Sequence, residues 1–156
     1  MDFTLRKATA EDEAFLYRLY ASTRAGELAA TGWNAEQQEH FLKMQFRIQH
    51  NTYAANWPQA EHHIVIADEQ PVGHIIFNRA DKEILTIDLA LLPEYRGLGI
   101  GSALLKNVLA EGAQSGKPVV LHVLKQNVRA ISLYERLGFR VCADVGMYFR
   151  MDCHPA

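Results

Sequence analysis

Cysteine is scarce in this chain, and the two thiols are poorly spaced for a structural role. Cys142 and Cys153 are the only cysteines, and they do not form a C-x-x-C pair. Secreted domains held together by disulfides usually carry more cysteines. We therefore expect reduced thiols in a cytoplasmic protein. The first residues, which lack the basic and then apolar layout of a signal peptide, favour the same location.

Long hydrophobic runs and an excess of positive charge are also missing. No apolar stretch approaches the roughly 18 residues that a membrane-spanning helix needs, so we expect no membrane segment. The formal net charge is −2 and the pI is about 6.4, which gives no reason to expect nucleic acid or an anionic membrane as a partner. With 156 residues, 49% of them hydrophobic, the chain fits one domain, residues 1–156.

Several common site motifs are absent as well. The sequence contains no G-x-x-x-x-G-K-S/T, no G-x-G-x-x-G and no H-E-x-x-H. These absences argue against a P-loop, a dinucleotide fingerprint and a helical zinc site. The seven histidines include the neighbours His62 and His63. Because adjacent residues of a strand point to opposite faces, this pair is poorly suited to hold one ion, and we predict no metal site.

Hydrophobic periodicity predicts strand, two helices, three strands, helix, strand, helix and two strands. The first helix is predicted over residues 10–24 and the second from Asn34, with residues 25–33 and 51–58 as irregular segments. Parallel pairing is expected around the third helix, with antiparallel strands before and after it. In the strand that begins at Ile84, one face is predicted to carry Leu85, Ile87, Leu89 and Leu91, and the other Thr86, Asp88 and Ala90.

The turn after this strand is the most informative stretch. It reads Arg96-Gly97-Leu98-Gly99-Ile100-Gly101-Ser102 and leads into a predicted helix. Glycine lets the backbone approach a ligand closely and adopt positive φ. The first N–H groups of the helix have no partner inside it, and with the helix dipole they favour a phosphate or pyrophosphate. A tight connection without a ligand is the alternative interpretation of the glycines alone.

Two motifs together resemble one family. Arg96-x-x-Gly99-x-Gly101 resembles the Q/R-x-x-G-x-G/A signature of the GNAT superfamily of acyl-CoA-dependent N-acyltransferases. About 30 residues later, Asn127-x-x-Ala130-x-x-Leu133-Tyr134-x-x-x-Gly138-Phe139 resembles that superfamily's asparagine-to-tyrosine helix. The resemblance implies the GNAT fold, an α/β domain of mixed α+β character. Its twisted mixed sheet of about seven strands carries helices on both faces.

The resemblance implies an N-acetyltransferase that moves an acetyl group from acetyl-CoA directly to a primary amine. A small-molecule acceptor is favoured over a peptide. The amides of the glycine-rich turn would hold the pyrophosphate of coenzyme A, and Arg96 would add charge. Strand backbone would bond the pantetheine arm, aided by Asn127. The implied cofactor-binding residues are Leu89, Leu91, Arg96, Gly97, Leu98, Gly99, Ile100, Gly101, Ser102, Asn127 and Ala130.

The predicted catalytic residues are Tyr134 and Asp88. Tyrosine, with an ordinary pKa near 10, is suited to protonate the departing thiolate. Asp88 would serve as the base or bind the amine, directly or through water. Glu83 and His74 are weaker candidates, and loss of the amine proton to solvent without a base is a further alternative. Thr86 stands where some family members carry glutamate, and threonine cannot replace a carboxylate as base.

The resemblance places the acceptor near the first two helices, their connection and the last hairpin. Arg24, Trp33 and Tyr148 are the predicted substrate-binding residues, and the further candidates are Glu27, Met44, Phe46 and Tyr53. Arginine and aromatic residues favour a small polar acceptor. The family resemblance also implies a homodimer or higher oligomer. A non-catalytic acyl-CoA-binding or regulatory module is the alternative function, because no carboxylate is an obvious base.

Overall fold

The strands and helices occur in the predicted order. A computed structural model describes residues 1–155. Its strands are β1 (Thr4–Lys7), β2 (Glu61–Ala67), β3 (Gln70–Arg79), β4 (Ile84–Leu91), β5 (Val119–Leu124), β6 (Arg140–Val145) and β7 (Tyr148–Cys153). Its helices are α1 (Glu13–Ala29), α2 (Ala35–Asn56), α3 (Ile100–Ser115) and α4 (Val128–Arg136). Short 3-10 turns precede α1, at Ala10–Asp12, and the glycine-rich turn, at Pro93–Tyr95.

All seven strands belong to one sheet in the order β1-β2-β3-β4-β5-β7-β6. Only β4 and β5 pair in parallel, and α3 is the crossover that joins them. Helices α3 and α4 pack on one face, over the main hydrophobic core, while α1 packs on α2 and against β3 and β4. The predicted mixed sheet with helices on both faces is confirmed. Within residues 1–155, no helix is long and apolar enough to cross a membrane.

Both early helices are longer than predicted. The assignment of residues 25–33 and 51–58 as irregular is wrong for most of these positions, since α1 continues to Ala29 and α2 to Asn56. Gly26 disfavours a helix by about 1 kcal/mol. The added turn of α1, however, buries Leu28, which is only 3% exposed, and burial of a leucine is worth roughly 1.5–3 kcal/mol. Tertiary packing therefore outweighs the local preference.

An extra residue interrupts β4. Ile76 of β3 pairs with Asp88, but the next residue, Phe77, pairs with Thr86, so Ile87 is left without a partner on β3. Such a bulge reverses the faces on which the following side chains lie. Thr86 consequently lies in register with the core residue Phe77, whereas Asp88 points to the α1 and α2 side of the sheet.

The predicted alternation along β4 is therefore wrong in its first half. Ile84 and Leu91 both belong to the core beneath α3, although the regular alternation of a strand would place these two residues on opposite faces. Leu85 does not share the face of Leu91, and Thr86 does not share the face of Asp88. The bulge thus separates the buried first half of β4 from the half that borders the candidate site.

Helix α3 is anchored by its buried face. Ile100, Leu104 and Leu105 are each 1% exposed. The helix ends at Ser115 and is capped by Gly116, whose φ of +69° lies in the left-handed region typical of a helix stop. Since Ile100 is the first residue of the helix, its buried side chain fixes the position of the glycine-rich turn relative to the sheet.

Candidate active site

A wedge-shaped opening separates the later halves of β4 and β5. The two strands pair only where residues 84–86 meet residues 119–121. Beyond that point β4 runs on to Leu91 and β5 to Leu124 without pairing to each other. An unpaired strand edge inside a protein offers backbone groups to a ligand that lies along it.

The backbone of β4 is oriented toward this opening at alternate residues. The Leu92 N–H donates to the Val72 carbonyl on β3 at 2.8 Å. Because backbone groups alternate in direction along a strand, those of Leu91 and Leu89 point away from β3 and into the opening. The Leu91 carbonyl accepts a hydrogen bond from Arg96 Nε at 2.9 Å. Arg96 thus connects the end of β4 to the glycine-rich turn. The Leu91 carbonyl, one of the backbone groups predicted to bind pantetheine, is therefore already hydrogen-bonded.

The glycine-rich turn has the geometry of an anion site. Gly97 and Gly99 have φ values of +74° and +89°, which favour glycine. The first helical bond of α3 runs from Ala103 to Gly99, and no side chain caps the helix, so the amides of residues 100–102 lack helical partners. A Cβ added at Gly97, Gly99 or Gly101 would meet no atom within 4 Å. Open space and free amides together fit a pyrophosphate.

The side chains of this turn divide between the core and the surface. Ile100 is buried, so only its backbone is available to a ligand, while Leu98 is 44% exposed. Ser102 is partly buried in the first turn of α3. The structure therefore brings residues 96–102 to the end of the β4–β5 opening, with backbone amides as their main polar groups.

Helix α4 begins on the other side of the opening. The Asn127 side-chain oxygen accepts a hydrogen bond from the Ala130 N–H at 3.2 Å and so caps the helix. Ala130 and Tyr134 pack against the core, and the Tyr134 ring meets Phe139 edge-on with centroids 6.0 Å apart. Burial, and then the charge of Asp88, raise the pKa of Tyr134 above its ordinary value. The phenol therefore stays protonated at neutral pH.

A cavity of about 710 Å³ lies on the α1 and α2 side of the sheet, next to the opening. It reaches Asn127 at the start of α4 and the backbone of β4 at Leu89. The predicted acceptor residues that line it are Arg24 and Tyr148, together with the candidates Glu27, Phe46 and Tyr53. The side chain of Asp88, 28% exposed, also lines it.

Three of the residues considered from sequence lie elsewhere. Trp33 and Met44 do not line this cavity; with Phe41 they form a separate exposed surface at the start of α2, where the Trp33 and Phe41 rings are 5.2 Å apart. Because α1 continues to Ala29, the connection to α2 begins farther along the chain than the sequence predicted. Glu83, at the start of β4, bonds Arg150 at 3.0 Å and does not line the cavity.

Arg24 enters the cavity already paired. Its Nη2 donates to Glu27 Oε2 at 3.1 Å, and its Nη1 donates to the Tyr20 hydroxyl. An incoming carboxylate would have to compete with Glu27 for this guanidinium. Within residues 1–155, Asp88 forms no salt bridge with a lysine or arginine and contacts only His74, so its carboxylate can attract a positively charged amine. Burial, followed by the charge of Asp88, raises the pKa of Tyr53.

Two histidines complete the polar wall of the cavity. His74 Nε2 is 3.1 Å from Asp88 Oδ2, and His74 Nδ1 is 2.8 Å from His62 Nε2. His63 lies on the opposite face, stacked on Phe77 with ring centroids 5.6 Å apart, as the strand alternation predicts. Sequence reasoning treated His74 only as a weak base candidate and missed its contact with His62. The sequence did contain a sign of this contact, because two consecutive predicted strands each carry a histidine, His62 and His74.

Comparison with known proteins agrees with the fold and the turn. Residues 27–139 match the family model described as "Acetyltransferase (GNAT) family". The chain is 26% identical over 118 residues to the peptidyl-lysine N-acetyltransferase YjaB of Escherichia coli, covering 74% of this chain and 75% of that protein. It is 25% identical over 107 residues to the ribosomal protein bS18-alanine N-acetyltransferase of Haemophilus influenzae, covering 69% and 71%.

A solved structure extends the likeness to the whole chain. The PaiA N-acetyltransferase from Thermoplasma acidophilum, solved in complex with coenzyme A, has a TM-score of 0.74 with this protein. The identity is 22%, and 99% of each chain is covered. At that identity the likeness concerns the fold. The match of the family model, over most of the chain, shows that this protein belongs to the GNAT family and is an acyltransferase that uses acetyl-CoA.

Proposed function

We propose that this enzyme acetylates the primary amine of a small molecule bound in the cavity between α1, α2 and the sheet. The cavity is the observation that supports this acceptor class. Its volume of about 710 Å³ falls within the range of roughly 300–1,000 Å³ that is usual for small-molecule sites. Tyr20, Phe46 and Tyr53 wall it on the helical side, and Asp88 lies on the sheet side.

We assign the cofactor-binding roles to the groups that face the opening. Acetyl-CoA supplies the acetyl group as a thioester. The amides of residues 97–102 bind the pyrophosphate, and the Leu89 backbone and the Leu91 N–H bond the pantetheine arm. Asn127 lies at the junction of opening and cavity, and the small side chain of Ala130 leaves room beside it. Arg96 acts mainly by fixing the end of β4 through the Leu91 carbonyl.

We assign the catalytic roles to Asp88, which lines the cavity, and to Tyr134, which packs against the core on α4 and does not itself line the cavity. The acceptor enters as an ammonium, which has no lone pair. Asp88 binds it and accepts its proton, directly or through water. The amine nitrogen then forms a bond to the thioester carbon while the carbon–sulfur bond breaks. The nitrogen then loses its second proton to solvent to give the neutral amide, while Tyr134 donates its phenolic proton to the departing sulfur and recovers one from solvent.

A protein amine is the second candidate acceptor. The E. coli relative is named for peptidyl-lysine, and the H. influenzae relative for an alanine of a ribosomal protein. A lysine side chain presents the same ammonium as a small amine. The distinction therefore depends on what surrounds the amine, and the aromatic helical wall of the cavity favours a compact acceptor over a chain that continues in both directions.

The test is release of coenzyme A from acetyl-CoA in the presence of an amine panel. The panel contains amino acids, polyamines, aminoglycosides, lysine-containing peptides and a peptide with N-terminal alanine. We expect a small amine to give a kcat/KM at least roughly 10-fold above every peptide, a preference equivalent to about 1.4 kcal/mol. Turnover confined to peptides would transfer the assignment to a protein acceptor. Binding of acetyl-CoA with no turnover across the panel would favour the non-catalytic module.

A further inference from the structure

With a neutral His74, the chain of contacts from Asp88 to His62 permits only one arrangement of protons. An ionised carboxylate can only accept hydrogen bonds. The 3.1 Å contact with Asp88 therefore requires a proton on His74 Nε2. The Nδ1 of neutral His74 must then be an acceptor, so at 2.8 Å the proton belongs to His62 Nε2. Both histidines are thus assigned the Nε2–H form.

Burial makes this arrangement persistent. His74 is 8% exposed, so water cannot readily replace either of its partners. Burial is the main cause that lowers the pKa of His62 to about 4. The other ionisable groups that face His62 are Asp88, His50 and Asp12. At neutral pH His62 consequently carries a single N–H, and that N–H is directed at His74.

We infer that His74 and His62 are positioning residues that hold one oxygen of Asp88 so that the other oxygen faces the acceptor amine. This inference rests on the proposed function, in which Asp88 binds the ammonium. Hydrogen bonds donated to a carboxylate favour its charged form. Within residues 1–155, Oδ2 is the oxygen bonded by His74, and Oδ1 has no side-chain partner. The histidine pair therefore engages one oxygen of Asp88 and leaves the other oxygen for the substrate.

The far side of His62 is compatible with this role. A second groove, between the start of α1 and α2, also reaches His62. Solvent in that groove can hydrate His62 Nδ1, so the arrangement leaves no buried acceptor unpaired. Within residues 1–155, the only buried side-chain nitrogen or oxygen that lacks a partner is Thr86 Oγ1. The pair thus connects the acceptor cavity to a surface that the acceptor does not occupy.

The first test is independent of acetyl transfer. Long-range proton–nitrogen NMR spectra at pH 7 should show His62 and His74 both protonated at Nε2 and unprotonated at Nδ1. Asp88→Ala should release His74 to a mixture of the two tautomers, while His63→Gln, on the opposite face, should leave both signals unchanged. A His74 signal protonated at Nδ1 in the unmodified protein would overturn the inference, whether or not the acetylation proposal holds.

The second test measures kinetics with the acceptor found in the panel. His62→Phe removes the donor but keeps a ring, and should lower the acceptor kcat/KM by roughly 3- to 10-fold, the range for one lost hydrogen bond. The acid limb should move to higher pH, because the ionised carboxylate loses indirect support. The KM for acetyl-CoA should not change. His62→Gln, which retains an N–H donor, should recover most of the loss. An unchanged pH profile in His62→Phe, or an equal loss in His63→Phe, would refute the positioning role.

Discussion

Replacing Gly99 with alanine tests the pyrophosphate site, and Gly116→Ala is its matched control. The two glycines flank the same helix, α3, with φ values of +89° and +69°. A non-glycine residue in this left-handed region costs roughly 1–2 kcal/mol. At neither position would an added Cβ meet an atom within 4 Å. Each variant should therefore lose about 1 kcal/mol of unfolding free energy, or about 2–4 °C in Tm for a domain of this size.

Affinity for acetyl-CoA should separate the two variants. Only the Cβ at position 99 enters the space in front of the free amides of α3. We expect the Kd of acetyl-CoA, measured by calorimetry well below both Tm values, to rise at least roughly 10-fold in Gly99→Ala, a loss of about 1.4 kcal/mol. In Gly116→Ala it should stay within about twofold, since the C-terminal end of the helix lies a full helix length away.

The outcome that would refute this reasoning is an equal change in the two variants. An equal loss of affinity would mean that strain in α3, and not the position of the Cβ, controls binding. Normal affinity in both would mean that the pyrophosphate lies elsewhere. Thermal unfolding of each variant is the internal check, because the comparison requires that both be destabilised to the same extent.

Two further predictions concern the chemistry and the N-terminal ion pair. Tyr134→Phe should lower kcat by roughly 10²-fold with little change in acetyl-CoA affinity, and should remove the high-pH limb, which lies above the ordinary tyrosine pKa because that of Tyr134 is raised. An unchanged kcat with chemistry rate-limiting would contradict the acid role. The Arg6 guanidinium lowers the pKa of Asp12 from 3.8 to about 2. The ion pair therefore stabilises the fold fully at pH values above the pKa of Asp12 in the unfolded chain, and this stabilisation is lost as the pH falls toward 2. Because Arg6 is 44% exposed, Asp12→Asn should cost only about 1 kcal/mol at pH 7 in urea unfolding, and nearly nothing at pH 2.

The order of elements was predictable because its signals are local. The Asn34 side-chain oxygen accepts a hydrogen bond from the Gln37 N–H at 2.8 Å, and the Gln37 side-chain oxygen accepts one from the Asn34 N–H at 3.0 Å, as the spacing of these two residues predicts. Gly116 ends α3 and Asn127 caps α4 for similar reasons. Each of these features involves residues within a few positions of one another, so no knowledge of the rest of the chain is needed.

Helix length was not predictable in the same way. The end of α1 depends on the burial of Leu28, which is only 3% exposed, and α1 packs against α2, β3 and β4, which lie later in the chain. The same extension carries Trp33 away from the cavity, where sequence reasoning had placed it with Arg24. Local propensity at Gly26 favoured an earlier end to the helix, and packing decided the later one.

The sequence by itself determined the glycine-rich turn and the capped start of α4, because positive φ, free helix amides and a side-chain cap are properties of a few consecutive residues. Only the tertiary structure decided which face of β4 carries Asp88, since that depends on the unpaired Ile87. It also decided that His62 and His74 meet, because the β2–β3 register includes a shift of its own. Strand register depends on all the residue pairings along two strands together, so it cannot be predicted from a short stretch of sequence.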